Sequence, residues 1–322
     1  MKDVTVRRGA AAIALSGAIV GAASGSALGQ EAGKLGVSMP TVQGPFFTAL
    51  LYGIVDEAEA QGFEPIVLDA GGYANVDQQV SDMQNLLVQD VSAILIDPAD
   101  DNAFVGVLME SEAQGVPVVA SGAPLTGTNA AVSASHCDLG LAMAEGAVEL
   151  LPEGGTVAAL TGPAGAFWAT ERYRCFKEAL DGSGIEIVAE QSSEPDAAVG
   201  LSIATDLLQR FPDVDLLYGA DDTVGVGAAR AVQSNDACDD IAVLTAILGE
   251  TTEELMREGC IDYVVAQQTV VIGRESVRVA KALLDGEELE ETSIIVPVVP
   301  VTPTTLDEVD VGAFRQPADW SL

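Results

Sequence analysis

Two pairs of adjacent acids, Asp100-Asp101 and Asp221-Asp222, stand on loops that follow short apolar runs. Neighbouring carboxylates can share a proton in acid–base work or accept hydrogen bonds from a ligand's hydroxyls. Asp222 has a structural use as well: a helical pattern begins at the next residue, so its carboxylate can cap that helix. Aromatic rings supply a second kind of chemistry. Phe46-Phe47 open a helical stretch, Tyr73 ends Gly71-Gly72-Tyr73, and Trp168 follows a glycine-containing loop. All of them fall at the same end of the preceding strands, where an exposed ring can stack on a sugar face or cage an ammonium group.

The usual catalytic patterns are missing. There is one histidine, His136, which reads as a hinge or surface residue. No G-x-S-x-G elbow, H-E-x-x-H or P-loop occurs. Gly225-Val226-Gly227 lies inside a helical pattern rather than directly after a strand, so it reads as close helix packing. The four cysteines show no zinc spacing and no C-x-x-C. Cys238 and Cys260 each precede one of two consecutive strands, whose starts can approach closely enough for a disulfide. Cys175, within a helical stretch, reads as a buried free thiol. No cofactor or metal is expected, nor an enzyme.

Charge narrows the partners. Forty-nine acids face 14 Lys and Arg, a formal net charge of −35 spread along 322 residues. Such a surface repels a phosphate backbone, so nucleic acid is not an expected partner. The chain starts with Lys2, Arg7 and Arg8, then an uncharged stretch from Gly9 to Ala23, then Ala27-Leu28-Gly29. That is the layout of an export signal with cleavage before Gln30, and its apolar core is shorter than the ~20 residues a membrane span needs.

The elements that must position these side chains alternate. Strands are expected at 35–39, 64–68, 93–96, 117–120 and 130–133, with helices at 45–61, 76–88, 103–114 and 139–151. The pattern then restarts, with strands at 156–160, 186–190, 216–219, 242–246 and 263–266 and helices at 168–181, 197–210, 223–233, 252–258 and 272–284. Strands that are apolar throughout, separated by amphipathic helices, mark an α/β fold with parallel sheets covered on both faces. The series is long enough for two doubly wound, Rossmann-like lobes, whose strand ends would converge on one cleft.

At this level the chain resembles the type I periplasmic binding proteins, the ribose-binding proteins among them. The resemblance rests on Leu35 to Met39, Gly44-Pro45-Phe46-Phe47, Asp97-Pro98-Ala99-Asp100, Gly115-Val116-Pro117-Val118, Arg172 with Phe176 to Leu180, Asp221-Asp222 and Ala266-Gln267. More particularly, Leu68 to Asn75 with Gln78-Gln79, and Pro303 to Leu306 with Phe314-Arg315, are similar to the TorT-like branch, which senses a methylamine oxide together with a membrane histidine kinase. The resemblance implies a three-strand hinge near 133–136, 267–269 and 297–300. It divides the chain into a signal peptide (1–29), an N-terminal lobe (30–134 plus 268–297) and a C-terminal lobe (135–267 plus 298–322). It implies ligand contacts at Phe46, Phe47, Asp221 and Gln267, to which Tyr73, Asp97, Ser121, Trp168 and Arg172 are added as candidates. Where the sugar binders carry an Asp-Arg pair after the strand at 117–120, this chain has Ser121-Gly122. The function implied is that of a soluble, monomeric periplasmic protein. It would capture a small polar ligand, a sugar or polyol, for a membrane ABC permease, or alternatively present its closed form to a sensor kinase.

Overall fold

The apolar runs are buried strands. Leu35, Val37, Ile94, Leu95 and Val119 in one sheet, and Val157, Leu217, Leu244 and Val264 in another, have no exposed surface. Burial on both faces is what an uninterrupted Val/Ile/Leu strand requires. The computed structural model describes residues 33–100, 102–164 and 166–322. The expected export segment and its cleavage point lie outside these.

The first sheet holds β1 (Gly33–Met39), β2 (Phe63–Asp69), β3 (Ala93–Ile96), β4 (Val118–Gly122), β5 (Ala130–Ser133) and β11 (Ser293–Ile295), in the order β11-β5-β4-β3-β1-β2. Every neighbouring pair in it is parallel. The second holds β6 (Gly155–Leu160), β7 (Ile185–Gln191), β8 (Leu216–Gly219), β9 (Ala242–Ala246), β10 (Tyr263–Gln267) and β12 (Val298–Val301), in the order β12-β10-β9-β8-β6-β7. The two orders are the same, except that β12 runs antiparallel to β10. Helices α1 (Pro45–Ala60), α2 (Val76–Val88), α3 (Val105–Gln114) and α9 (Thr269–Leu284) cover the first sheet. Helices α4 (His136–Leu150), α5 (Phe167–Ala179), α6 (Ala197–Arg210), α7 (Asp222–Ser234) and α8 (Glu250–Arg257) cover the second. The fold is therefore two α/β lobes. The chain passes between them three times, from β5 to α4, from β10 to α9 and from β11 to β12.

Three local features differ from the sequence expectation. Helix α4 begins at His136, three residues early, because the Ser135 hydroxyl accepts from the Asp138 amide (3.1 Å) and caps it. Helix α9 also begins three residues early. Its first turn, Thr269-Val270-Val271, is β-branched, but burial of Val270 against α1 outweighs that weak local preference. The strands β11 and β12 leave no mark in the apolar pattern, and the third hinge crossing near 297–300 is where β12 runs. They are three and four residues long and flank Pro297, too short for a periodicity to register.

Close helix pairs set the positions of the elements. A Cβ on Gly53 of α1 would lie 2.3 Å from the Val270 carbonyl oxygen, so α1 and α9 meet backbone to backbone. In the other lobe a Cβ on Gly140 of α4 would lie 2.1 Å from the Arg172 carbonyl oxygen of α5. That contact fixes where α5 presents Arg172. Gly227 of α7 packs in the same way on Ala197 and Leu201 of α6, while Gly225 lets α7 close on Thr245 of β9.

Candidate functional site

Loops at the carboxyl ends of both sets of strands enclose a cavity of about 450 Å³. This is the place where doubly wound sheets take ligands, since side chains and backbone amides converge there. The first lobe contributes Phe46 and Phe47 from the start of α1, Tyr73 from the loop after β2, Asp97 from the end of β3 and Gly122 from the end of β4. The second contributes His136 from α4, Trp168 and Arg172 from α5, Asp221 and Asp222 from the β8–α7 junction, Ile247 after β9 and Gln267 from β10.

The aromatic wall is built from local rules. Pro45 occupies the first turn of α1, where its missing N–H costs nothing. The two residues that follow point Phe46 and Phe47 toward the cavity, edge to face at 5.2 Å. Tyr73 packs on Phe47 at 6.2 Å, and its hydroxyl meets the Trp168 side chain from the opposite lobe. Trp168 in turn carries the Arg172 guanidinium over its face, at 5.1 Å from the ring centre. A side chain at Gly122 would run into Asp97 and the Phe46 ring, and its φ of +98° is one that glycine takes without strain. Ile247 takes φ = 69° at the cavity edge, a costly conformation for a β-branched residue and of a kind that clusters at binding sites.

The polar wall is a network with open ends. Arg172 is almost completely buried (2% exposed) and is tied to the Ala220 carbonyl oxygen. Its Nη2 also donates to His136 Nδ1 at 3.4 Å. A guanidinium only donates, so Nδ1 must be the accepting nitrogen and Nε2 carries the ring proton. That Nε2 has no partner within the protein. Asp221 uses Oδ1 to accept from the Val224 amide and the Thr223 hydroxyl, both at 2.8 Å, and its Oδ2 is unpartnered. Asp97 Oδ2, Asp222 Oδ2, Gln267 Oε1 and Arg172 Nε are unpartnered as well. A buried polar atom left without a partner costs about 1–3 kcal/mol, so orphans gathered round one cavity indicate a ligand that completes them.

Burial shifts the charges. The Asp97 carboxyl is pushed up to about 8 by loss of water, against one hydrogen bond from the Ala123 backbone. Burial raises Asp221 too, and it raises Asp222 well above the usual carboxylate range, with the neighbouring Asp221 charge adding to the effect. His136 is pushed down to about 3, by burial first and by the Arg172 charge second, so its ring stays neutral. Perturbed groups of this kind concentrate at functional sites.

Of the residues singled out from sequence, Phe46, Phe47, Tyr73, Asp97, Trp168, Arg172, Asp221 and Gln267 line the cavity. Ser121 does not. Its hydroxyl accepts from Ser276 of α9 at 2.8 Å, and the backbone turns at Gly122 to put Gly122 and Ala123 at the wall instead. His136 is not a surface residue but a buried one at the cavity, because α4 starts early enough to include it. The cap of α7 is Asp221 rather than Asp222, which frees Asp222 to face the cavity. Asp100 stays away from the cavity, closing a turn onto the amides of Asn102 and Ala103. Cys175 is not a free thiol: it is bonded to Cys137, and this crosslink joins α4 to α5 beside His136 and Arg172. A second disulfide joins Cys238 to Cys260. The sequence signal for Cys137–Cys175 is absent because the two helices meet through tertiary packing alone.

Comparison with known proteins places these features. A family model described as a periplasmic binding protein domain matches residues 35–288. The ribose import binding protein RbsB of Bacillus subtilis (strain 168) is 30% identical over 260 residues, covering 80% of this chain and 84% of that protein. A crystal structure of a sugar ABC transport system substrate-binding protein from Bordetella parapertussis 12822 superposes with a TM-score of 0.83 at 26% identity. It covers 90% of this chain and 95% of the other. An ABC transporter solute-binding protein from Bacillus halodurans C-125, with bound myo-inositol, gives a TM-score of 0.79 at 25% identity, covering 87% and 98%.

Proposed function

The chain belongs to the periplasmic binding protein family, and from that premise we propose that it is an exported binding protein that traps a sugar- or polyol-sized ligand between its lobes for a membrane ABC permease. It is a solute-binding protein, not an enzyme. The observation that carries the ligand reading is the ring of unpartnered polar atoms, contributed by both lobes, around a cavity walled by Phe47, Tyr73 and Trp168. Aromatic faces take the apolar faces of a sugar ring, while Asp97, Asp221, Asp222, Gln267, His136 and Arg172 meet its hydroxyls. Contacts from both lobes favour the closed arrangement over an open one, which is how the ligand drives closure.

The rest of the reading follows the same family. Residues 1–29 serve as a removable export signal. Residues 30–134 with 268–297, and 135–267 with 298–322, act as the two bodies that move about the hinge, and the protein works as a monomer. Among the described residues no helix is long and apolar enough to cross a membrane. A sensor role, with a membrane histidine kinase reading the closed form, is the second reading. It rests on the resemblance of Leu68 to Asn75 to the TorT-like branch, and Tyr73 of that stretch lies in the cavity wall.

Calorimetry and thermal unfolding against pentoses, hexoses, inositols and methylamine oxides test the proposal. A true ligand present at a hundredfold excess over its Kd raises stability by about 2.7 kcal/mol. Trp168→Ala and Gln267→Ala are expected to abolish that gain. Ligand binding that is indifferent to both substitutions would remove the cavity as its site.

A further inference from the structure

The charges lining the cavity do not balance. Three buried acids, Asp97, Asp221 and Asp222, and one exposed acid, Glu194, face it together with one guanidinium, Arg172. Arg172 makes no ion pair with any of them; its hydrogen bonds go to Ala220 and His136. His136 adds no positive charge, since its ring accepts from Arg172 and stays neutral. Open hydrogen-bonding capacity is skewed in the same direction. The unpartnered acceptors are Asp97 Oδ2, Asp221 Oδ2, Asp222 Oδ2 and Gln267 Oε1, against the donors Arg172 Nε and His136 Nε2. A ligand made only of hydroxyls could satisfy acceptors, since each O–H donates, but it brings no positive charge to offset ionised carboxyls in a lining where burial makes ionisation costly.

We propose that the preferred ligand is an aminated polyol, a sugar or cyclitol carrying one protonated amine, with the ammonium in the cavity that Asp97, Asp221 and Asp222 line and faced by the aromatic wall. This rests on the sugar-binding reading above and narrows its ligand class. An ammonium supplies three donors and a positive charge, both of which the acceptor-rich lining is short of. The π faces of Phe47, Tyr73 and Trp168 attract the same charge. The remaining hydroxyls use Gln267, His136 and Arg172. The upward shifts of Asp97, Asp221 and Asp222 fit this role: burial makes their ionised forms costly, for Asp222 the more so beside Asp221, and the Arg172 charge offsets this only in part for that pair. An incoming ammonium stabilises the charged carboxylates and expels a proton.

The test is calorimetry in phosphate buffer, free of amine buffers that would compete, on matched pairs: D-glucosamine against D-glucose, D-galactosamine against D-galactose, and an amino-inositol against myo-inositol. The amine of at least one pair is expected to bind tenfold or more tighter than its alcohol partner. Repeating the titration in buffers of different ionisation enthalpy should show the amine releasing up to about one proton near pH 7, and the alcohol none. Asp222→Asn and Asp97→Asn should each shrink the amine preference, weakening the amine several-fold more than its alcohol partner. Alcohols that bind as tightly as amines, or a preference unmoved by both variants, overturn the inference and leave the sugar-binding reading standing. No binding by either member of any pair, with no thermal shift, counts against both.

Discussion

The N-terminal lobe meets the cavity with Phe46, Phe47 and Tyr73 and one buried acid, Asp97, whereas the C-terminal lobe brings His136, Arg172, Asp221, Asp222 and Gln267 around one ring, Trp168. Strand order is the same in both sheets, so the difference lies in what the loops carry. It extends to how each lobe is held. Both disulfides, Cys137–Cys175 and Cys238–Cys260, lie in the C-terminal lobe, and all four cysteines of the chain are used there. A wall of rings makes non-directional contacts and tolerates small slips. A network of hydrogen bonds and charges loses most of its strength when displaced by an ångström. The crosslinked lobe is the one that needs fixed geometry; the aromatic lobe closes over what that geometry has selected.

The largest expected effect comes from the centre of the polar lobe. Arg172→Ala removes the only buried guanidinium among the lining residues, leaving Asp221 and Asp222 without a nearby positive charge and His136 Nδ1 without its donor. Leaving the Ala220 carbonyl oxygen and His136 Nδ1 without their donor costs about 1–3 kcal/mol each. Thermal unfolding should register that loss, and ligand affinity measured by calorimetry should fall at least a hundredfold. An Arg172→Ala protein that binds normally would erase the distinction between a selecting lobe and a covering lobe.

Next in size is the crosslink. Replacing Cys137 and Cys175 with serine opens a link of sequence separation 38, and chain-entropy reasoning puts its contribution at roughly 3–4 kcal/mol. Hydrogen exchange should show protection falling in α4 and α5 first. Affinity should drop as well, because those helices carry His136 and Arg172. A loss of stability with unchanged affinity would make the disulfide a general staple rather than a support for the site.

The aromatic lobe was the more legible of the two from sequence. Gly44-Pro45-Phe46-Phe47 and Gly71-Gly72-Tyr73 are contiguous, and a proline at a helix start or a glycine turn fixes locally where the next ring points. The alternation of apolar runs gave both sheets, apart from the two short hinge strands at 293–301. The polar network was legible only in pieces. Whether His136 reaches the cavity depends on three residues of helix start, and whether Asp221 or Asp222 caps α7 decides which oxygen is left free. Ser121 shows the limit from the other side: it sits at a strand end, as the pattern requires, but α9 packs against that face and takes its hydroxyl. The Cys137–Cys175 pair depends on α4 and α5 approaching at Gly140, a contact between distant segments that no local spacing encodes.

A smaller effect belongs to the aromatic wall. Phe47→Ala removes a half-buried ring that touches Phe46 and Tyr73. Lost stacking and apolar contact amount to about 1–2 kcal/mol, or a roughly five- to thirtyfold weaker Kd by calorimetry. Thermal stability without ligand should change little. If Phe47→Ala weakened binding as severely as Arg172→Ala, both lobes would select equally.

The smallest effect is a pH slope that separates the lobes without any ligand. Asp97, from the aromatic lobe, titrates near 8 when folded and near the ordinary aspartate value when unfolded. The folded state therefore binds the proton more tightly. Its contribution to stability is complete below about pH 4 and is lost as pH rises toward 8. His136, from the polar lobe, is depressed to about 3, so its contribution is complete above about 6.5 and is lost only as pH falls below that. Between pH 6.5 and 8 the histidine is silent, and the unliganded protein should lose up to about 1.4 kcal/mol per pH unit from Asp97, roughly 2–3 °C in Tm. Asp221 and Asp222, raised by burial as well, tilt stability in the same direction. Asp97→Asn should make the slope in that window shallower and leave the part due to that pair, and His136→Gln should not alter it. Identical slopes for the wild-type and Asp97→Asn proteins would mean that Asp97 is ionised in the empty cavity, and that the first lobe contributes charge to the site on the same footing as the second.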